Sequence, residues 1–198
     1  GTRGSRLSLA QAEHFKDELL LANKNLKPTD VEIKVIKTSG DKFKTENLSL
    51  MGGKGLFVKE IEKELLSGNI DCAVHSLKDI PTFGSERLVL GAYLKRKDAR
   101  DAFISPVTNS FKNLKPGSTV ATCSVRRISQ LQRIRDDLKI VNIRGNIDSR
   151  ISKVKKGEYD GIILALAGIQ TLNLEGEIKE IFSEKKIIPS AGQGVIAA

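Results

Sequence analysis

The sequence predicts an α/β fold, because short apolar segments alternate with amphipathic segments along the chain. The apolar segments, such as residues 70–75 and 161–166, are nearly continuous, as strands are when helices cover both faces of a sheet. The amphipathic segments, such as residues 8–22, repeat apolar side chains every three or four positions, which is the period of a helix. This alternation favours mainly parallel sheets flanked by helices.

The individual elements follow from the same patterns. Residues 31–37 alternate apolar and polar side chains and predict a strand, and a glycine-rich loop at 52–55 precedes a helix over 57–66 that Gly68 ends. Further strands are predicted at 70–75, 88–94, 118–122, 140–143 and 161–166, with helices at about 125–135 and 147–156.

A charged stretch at 95–101 separates two groups of strands and predicts a hinge between two domains. A second crossing is predicted at Ile187-Ile188-Pro189. The first domain is then expected over 1–95 with about 188–198, and the second over about 100–187.

The net charge of +9 favours an anionic partner. Aromatic residues are only 5% of the chain and tryptophan is absent, so stacking platforms for single-stranded nucleic acid are scarce. A small polycarboxylate or phosphate explains the charge equally well, and we expect no nucleic-acid partner. A nucleic-acid-binding domain is kept as an alternative that depends on the charge alone.

No apolar run approaches the ~18 residues of a membrane span, and no apolar core of a signal peptide follows residues 1–5. We therefore expect a cytoplasmic protein without membrane contact. Cys72 and Cys123 have neither the spacing nor the neighbours of a disulfide framework or a zinc site, so no metal is expected.

Two glycine-containing stretches are candidate anion sites. Gly1-Thr2-Arg3-Gly4-Ser5 precedes the first helix, where free backbone N–H groups attract anions, although a plain helix cap fits as well. Residues 52–55 carry Lys54 in a loop that lets the backbone approach a ligand, but the spacing is not that of a Walker A loop.

Three further stretches follow predicted strands. Lys78 and Asp79 lie after the strand over 70–75, in a segment that Pro81 predicts to be extended. On spacing alone a structural loop fits this segment as well as a site, in which Asp79 would stabilise a developing cation. Ser124 predicts a helix cap followed by Arg126 and Arg127, whose charges are unfavourable in a first turn. Arginines in this place favour a ligand role over a solvated helix start. The third stretch contains Arg144, Gly145 and Arg150.

Seven strings in this order resemble the porphobilinogen deaminase family over all 198 residues: GTRGS, GGKGLFVKEIE, DCAVHSLKDIP, RRISQL, IRGNIDSR, GEYDGIILALAGI and PSAGQGV. The resemblance implies an enzyme that joins porphobilinogen head to tail, with loss of ammonia, into the linear tetrapyrrole hydroxymethylbilane. It also implies a covalent dipyrromethane cofactor, a monomer, and two domains of type II periplasmic-binding architecture with the site in the cleft between them.

By the same resemblance, Asp79 is the catalytic residue. The residues that would hold the carboxylates of substrate and cofactor are Arg3, Ser5, Gln11, Lys54, Lys78, Thr122, Ser124, Arg126, Arg127, Arg144, Arg150 and Gln193. The alternative is a non-enzymatic module of the same architecture that binds a small organic anion.

The sequence departs from the family pattern in several places. It stops at Ala198, whereas the family continues into a third domain with the cofactor cysteine, so the chain alone is expected to be inactive. It also lacks the short strand that normally precedes Gly1. Cys123 stands where serine is usual and is not expected to be the attachment site. Thr171 stands where arginine is common, which puts one carboxylate contact in question.

Overall fold

The structure is a computed structural model that describes residues 1–38, 58–82 and 84–198. It divides into a first unit, Gly1–Arg96 with Val195–Ala198, and a second unit, Lys97–Gly194. The predicted α/β class is confirmed, because both units combine helices with sheet. In the described part of the chain, no helix is both long and apolar enough to cross a bilayer.

The first unit has two α-helices and a small sheet in its described part. Helix α1 spans Arg6–Ala22 and α2 spans Lys59–Leu66, close to the predicted limits. Strand β1, His75–Ser76, pairs antiparallel with β7, Ile196–Ala197, at the other end of the chain. This pairing ties the last described residues to the first unit.

Three predicted strands of the first unit are shorter than expected. Residues 31–37 contribute one bridge, between Val35 and Thr2, and residues 88–94 contribute one between Tyr93 and Ala197. Of residues 70–75, only His75 enters a strand. An apolar pattern reports burial of side chains, whereas a strand also needs a partner with which its backbone can form a continuous ladder.

The second unit is built on a five-stranded sheet in the order β4-β3-β5-β2-β6. Its elements in chain order are β2 Asp101–Ile104, β3 Thr119–Ala121, α3 Val125–Ile134, β4 Lys139–Val141, α4 Ile147–Lys155, β5 Gly161–Ala165, α5 Leu166–Thr171 and β6 Glu180–Ile181. Helices α3 and α4 and strands β3 to β5 match predicted elements. Strands β2 and β6 and helix α5 were not predicted.

The sheet is mixed, which corrects the expectation of a mainly parallel one. Strand β3 is parallel to β4 and β5, whereas β2 is antiparallel to both β5 and β6. A nearly continuous apolar pattern shows that both faces of a strand are buried, but it does not show whether the strand runs parallel or antiparallel to its neighbours. Ala102 and Ile104 pack into one core cluster, and Phe103 between them packs into the other.

The chain returns to the first unit after Gly194, whereas the sequence placed this crossing near residue 188. Gln193 explains the difference, because it is 1% exposed and its amide nitrogen donates to Ala99 O at 2.6 Å. The turn that carries Gln193 is therefore fastened to the second unit. The assignment of the catalytic aspartate to the first domain, and of the arginines that bind carboxylates to the second, stays a prediction.

Candidate functional site

Asp79 lies in a pocket of the first unit. Its turn, Leu77–Asp79, follows β1, and the Leu77 N–H donates to Val195 O at 2.9 Å. The segment is one turn of 3-10 helix rather than the extended loop predicted, and only Ile80, before Pro81, is extended. The described residues that line the pocket are Arg3, Ser8, Gln11, Val58, Val74, His75, Ser76 and Asp79.

The first turns of α1 and strand β1 both contribute residues to the wall of the pocket. Ser5 caps this helix, because its Oγ accepts from the Ser8 N–H at 3.2 Å and lies 2.8 Å from Ser8 Oγ. Gln11 and Ser76 join helix to strand by hydrogen bonds of 2.9 and 3.1 Å between amide and hydroxyl. Ser5 and Gln11 thus hold the pocket together, and a ligand contact by either stays a prediction.

His75 contributes an uncharged imidazole to this pocket. Burial lowers its pKa to about 4, although the negative charge of Asp79 acts in the opposite direction. Its Nε2 is buried and has no hydrogen-bond partner in the described structure. No role was predicted for His75 from the sequence, although its position four residues before Asp79 in the HSLKD string was a signal for one.

We expect the neutral imidazole of His75 to make stability depend on pH between about 6.5 and 4. In this window the unfolded chain binds a proton on His75 and the folded chain does not, so the free energy of unfolding falls as pH falls. The check is an NMR titration of the His75 ring together with denaturation at each pH. A ring that takes up its proton near pH 6.5 in the folded protein contradicts the prediction.

The start of α3 in the second unit carries the first pair of arginines. Ser124 caps the helix as predicted, because its Oγ accepts from the Arg127 N–H at 3.4 Å. Thr122 is 2% exposed and its Oγ1 accepts from the Ser124 N–H at 3.3 Å. These bonds fix the turn that presents Arg126, whose side chain is 24% exposed.

Both arginines pair with Asp101, a residue that sequence reasoning assigned to the hinge. Arg126 Nη2 lies 2.6 Å from Asp101 Oδ2, and Arg127 Nη2 lies 2.7 Å from Oδ1. Burial raises the pKa of Asp101, but the adjacent Arg127 and Arg126 outweigh it, so the pKa lies below its ordinary value. The unfavourable arginines of the first turn are therefore balanced in part by an internal carboxylate.

A second pair of arginines lies close to the first. Burial lowers the pKa of Arg150, Cys123 beside it has the opposite effect, and the charges of Arg127 and Arg144 lower it further. The Nε of Arg150 is buried without a hydrogen-bond partner, and no described acid forms an ion pair with Arg150. These like charges, with Asp101 the one acid that forms an ion pair with any of them in the described part of the chain, form a site suited to an anion that carries several carboxylates.

Comparison with known proteins identifies the family to which this arrangement belongs. The sequence profile described as porphobilinogen deaminase, dipyromethane cofactor binding domain, matches residues 1–198. The chain belongs to the porphobilinogen deaminase family. It is 47% identical over 197 residues to the porphobilinogen deaminase of Nitrobacter winogradskyi and 48% identical to that of Syntrophomonas wolfei, with 100% of the chain covered in each case.

The chain spans 62% and 63% of these two relatives and 55% of the chloroplastic porphobilinogen deaminase of Oryza sativa, to which it is 45% identical over 99% of its own length. Among solved structures, it is similar to the periplasmic VFT2 domain of Bordetella pertussis BvgS (TM-score 0.48, 18% identity, 96% of this chain and 70% of that one). It is also similar to a mutant of ArgBP from T. maritima (TM-score 0.44, 19% identity, 93% and 70%).

The structure describes the surroundings of two residues, Thr171 and Cys123, that depart from the porphobilinogen deaminase pattern. Thr171 ends α5, and its Oγ1 accepts from Lys97 Nζ at 3.2 Å, so a basic side chain lies beside this threonine. Cys123 is exposed beside Arg150. Of the remaining predicted residues, Lys78 is half-buried in the turn of Asp79, and Lys54 lies outside the described residues.

Proposed function

We propose that the full-length gene product is a porphobilinogen deaminase, and that this chain holds its substrate and cofactor by their carboxylates. The reaction joins porphobilinogen units head to tail with loss of ammonia and gives a linear tetrapyrrole for porphyrin and haem biosynthesis. The observation that carries the proposal is that the chain contains two unlike sites, each within one unit: an exposed aspartate in a pocket of the first unit and a group of partly buried arginines in the second.

The arginines of the second unit bind the acidic side chains of the pyrroles. Each pyrrole of the growing chain brings further carboxylates, and guanidinium groups bind carboxylates through two parallel hydrogen bonds. Arg144 and Arg150 supply charge that no described acid neutralises, and Arg126 presents a partly exposed guanidinium. A basic site of this kind accepts an acidic chain without a change in its own protonation.

Asp79 stabilises the positive charge that develops on the pyrrole and its methylene carbon when the amino group of the aminomethyl substituent leaves as ammonia. A carboxylate about 4 Å from a unit positive charge contributes about 4 kcal/mol at an effective dielectric constant near 20. The attacking pyrrole carbon then loses its proton, which the same carboxylate can accept. His75 stays neutral beside Asp79 and therefore adds no positive charge to the pocket.

The residues of the chain fit the dipyrromethane cofactor that the family profile names. The residues that would hold its acidic side chains are Arg126, Arg144 and Arg150. Arg150 keeps a buried Nε without a partner and lies near the guanidinium groups of Arg127 and Arg144, and Arg126 presents a partly exposed guanidinium. When bound, the cofactor supplies the terminal pyrrole to which the first substrate unit is joined. The covalent attachment is proposed to use neither Cys72 nor Cys123.

The intact mass of the full-length gene product tests this proposal, before and after incubation with porphobilinogen. We expect a dipyrrole adduct at the start and stepwise increments of one porphobilinogen less one ammonia afterwards. A mass that never shifts, even after attempted reconstitution of the cofactor, would contradict the proposed enzymatic activity. Binding of simple dicarboxylates in that case would identify a non-enzymatic module for organic anions.

A further inference from the structure

A buried acid and a buried amide lie directly behind the arginines of α3. Asp101 is completely buried, and each oxygen of its carboxylate accepts from a different arginine. Gln193 Nε2 donates to Asp101 Oδ1 at 2.9 Å and to Ala99 O at 2.6 Å. The carboxylate is thus fixed from the strand side and from the turn that ends at Gly194.

Each guanidinium is held at a second point by a backbone carbonyl. Arg127 Nη1 donates to Ile163 O at 3.0 Å, on strand β5, and Arg126 Nη1 donates to Ile188 O. A planar guanidinium that is bound to two acceptors on different segments has a fixed plane as well as a fixed position. The orientation of both arginines is therefore set by residues that lie far from α3 in the sequence.

The charge of this group remains positive. Two guanidinium groups and one carboxylate leave one net positive charge, so Asp101 fixes the arginines without cancelling their attraction for an anion. Long side chains that are already ordered lose less rotamer freedom when a ligand binds. A buried carboxylate in this place therefore favours binding although it has the same sign as the ligand.

We infer that Asp101, supported by Gln193, is a positioning residue that pre-orients Arg126 and Arg127 for the ligand carboxylates. This inference rests on the proposed function for the identity of the ligand, but not for the arrangement of the arginines. It gives Gln193 a place beneath the binding surface rather than on it. It also explains the acid at the start of β2, which the hinge interpretation left without a role.

The test compares Asp101→Asn with Asp137→Asn in the full-length gene product. Asp137 forms an ion pair with Arg135 in the same unit, and its side chain is 34% exposed. We expect Asp101→Asn to raise the KM for porphobilinogen by about tenfold or more, in proportion to the loss of a charge-assisted hydrogen bond. The fall in kcat should be smaller, and Asp137→Asn should change neither constant.

A second readout does not depend on catalysis. In spectra of ¹⁵N-arginine-labelled protein, we expect the Nη groups of Arg126 and Arg127 to give separate, slowly rotating signals that collapse in Asp101→Asn. If the wild type does not turn over porphobilinogen, the proposed function fails, while these signals still decide the role of Asp101. Unchanged guanidinium signals in a folded Asp101→Asn protein would overturn the inference.

Gln193→Met keeps the test decisive if Asp101→Asn does not fold. This variant leaves both ion pairs in place and removes the amide that donates to Asp101 Oδ1 and to Ala99 O. We expect KM to rise by about threefold, the effect of one hydrogen bond at the low end of the ordinary range, with faster rotation of the Arg127 guanidinium. No change in either quantity would contradict the part assigned to Gln193.

Discussion

Replacement of Asp79 by asparagine is expected to reduce porphobilinogen turnover by the full-length gene product about a thousandfold, as loss of a group that stabilises transition-state charge does. The variant keeps the shape of the side chain and removes its negative charge. Asp79 is exposed in its turn, so we expect the substitution to leave the fold intact. Steady-state release of the tetrapyrrole measures the effect, and thermal unfolding checks that the variant is folded.

Asp71→Asn provides the matched control for this experiment. Asp71 is an exposed acid of the same unit and does not line the pocket of Asp79. It should retain the turnover of the wild type. If Asp79→Asn also retains most of its turnover, the carboxylate that assists deamination lies elsewhere. A loss of the same size in both variants would indicate a general effect of charge rather than a function of the pocket.

Short-range signals in the sequence predicted the local structure well. Ser124 was predicted as a helix cap because a serine oxygen can reach the N–H groups of the next turn, and the structure confirms that bond. The extents of α3 and α4 followed from their apolar period in the same way. In each case the partner of the critical group lies within a few residues, so the sequence contains both members of the interaction.

Long-range partners could not be predicted from the same signals. Asp101 lies in a charged stretch that resembled a hinge, and only the pairing of β2 with β5 brings it to the arginines of α3. The neutral state of His75 likewise depends on burial by segments distant in the sequence. Individual arginines were identified by their departure from helix preferences, but the carboxylate that holds them was not.

Arg127→Met is expected to lower the free energy of unfolding by about 3 to 5 kcal/mol, because it removes one partner of a buried ion pair. Arg127 is 7% exposed and Asp101 is completely buried. The remaining carboxylate keeps Arg126 and Gln193 but loses the guanidinium on Oδ1. Arg127→Met also leaves Ile163 O without its side-chain donor. Urea denaturation at pH 7 measures the loss.

Two further variants separate two contributions to this loss of stability: the buried carboxylate of Asp101 that has lost one partner, and the packing of the Arg127 side chain. Lys155→Met breaks an exposed pair with Glu177 and should cost no more than about 1 kcal/mol. The double variant Arg127→Met/Asp101→Leu should recover part of the stability, because no buried carboxylate that has lost one of its two arginines remains in the core. If the double variant is less stable than Arg127→Met by the full cost of a second core substitution, the ion pair itself stabilises the fold. The loss of stability in Arg127→Met would then not come from leaving the carboxylate of Asp101 with one partner fewer.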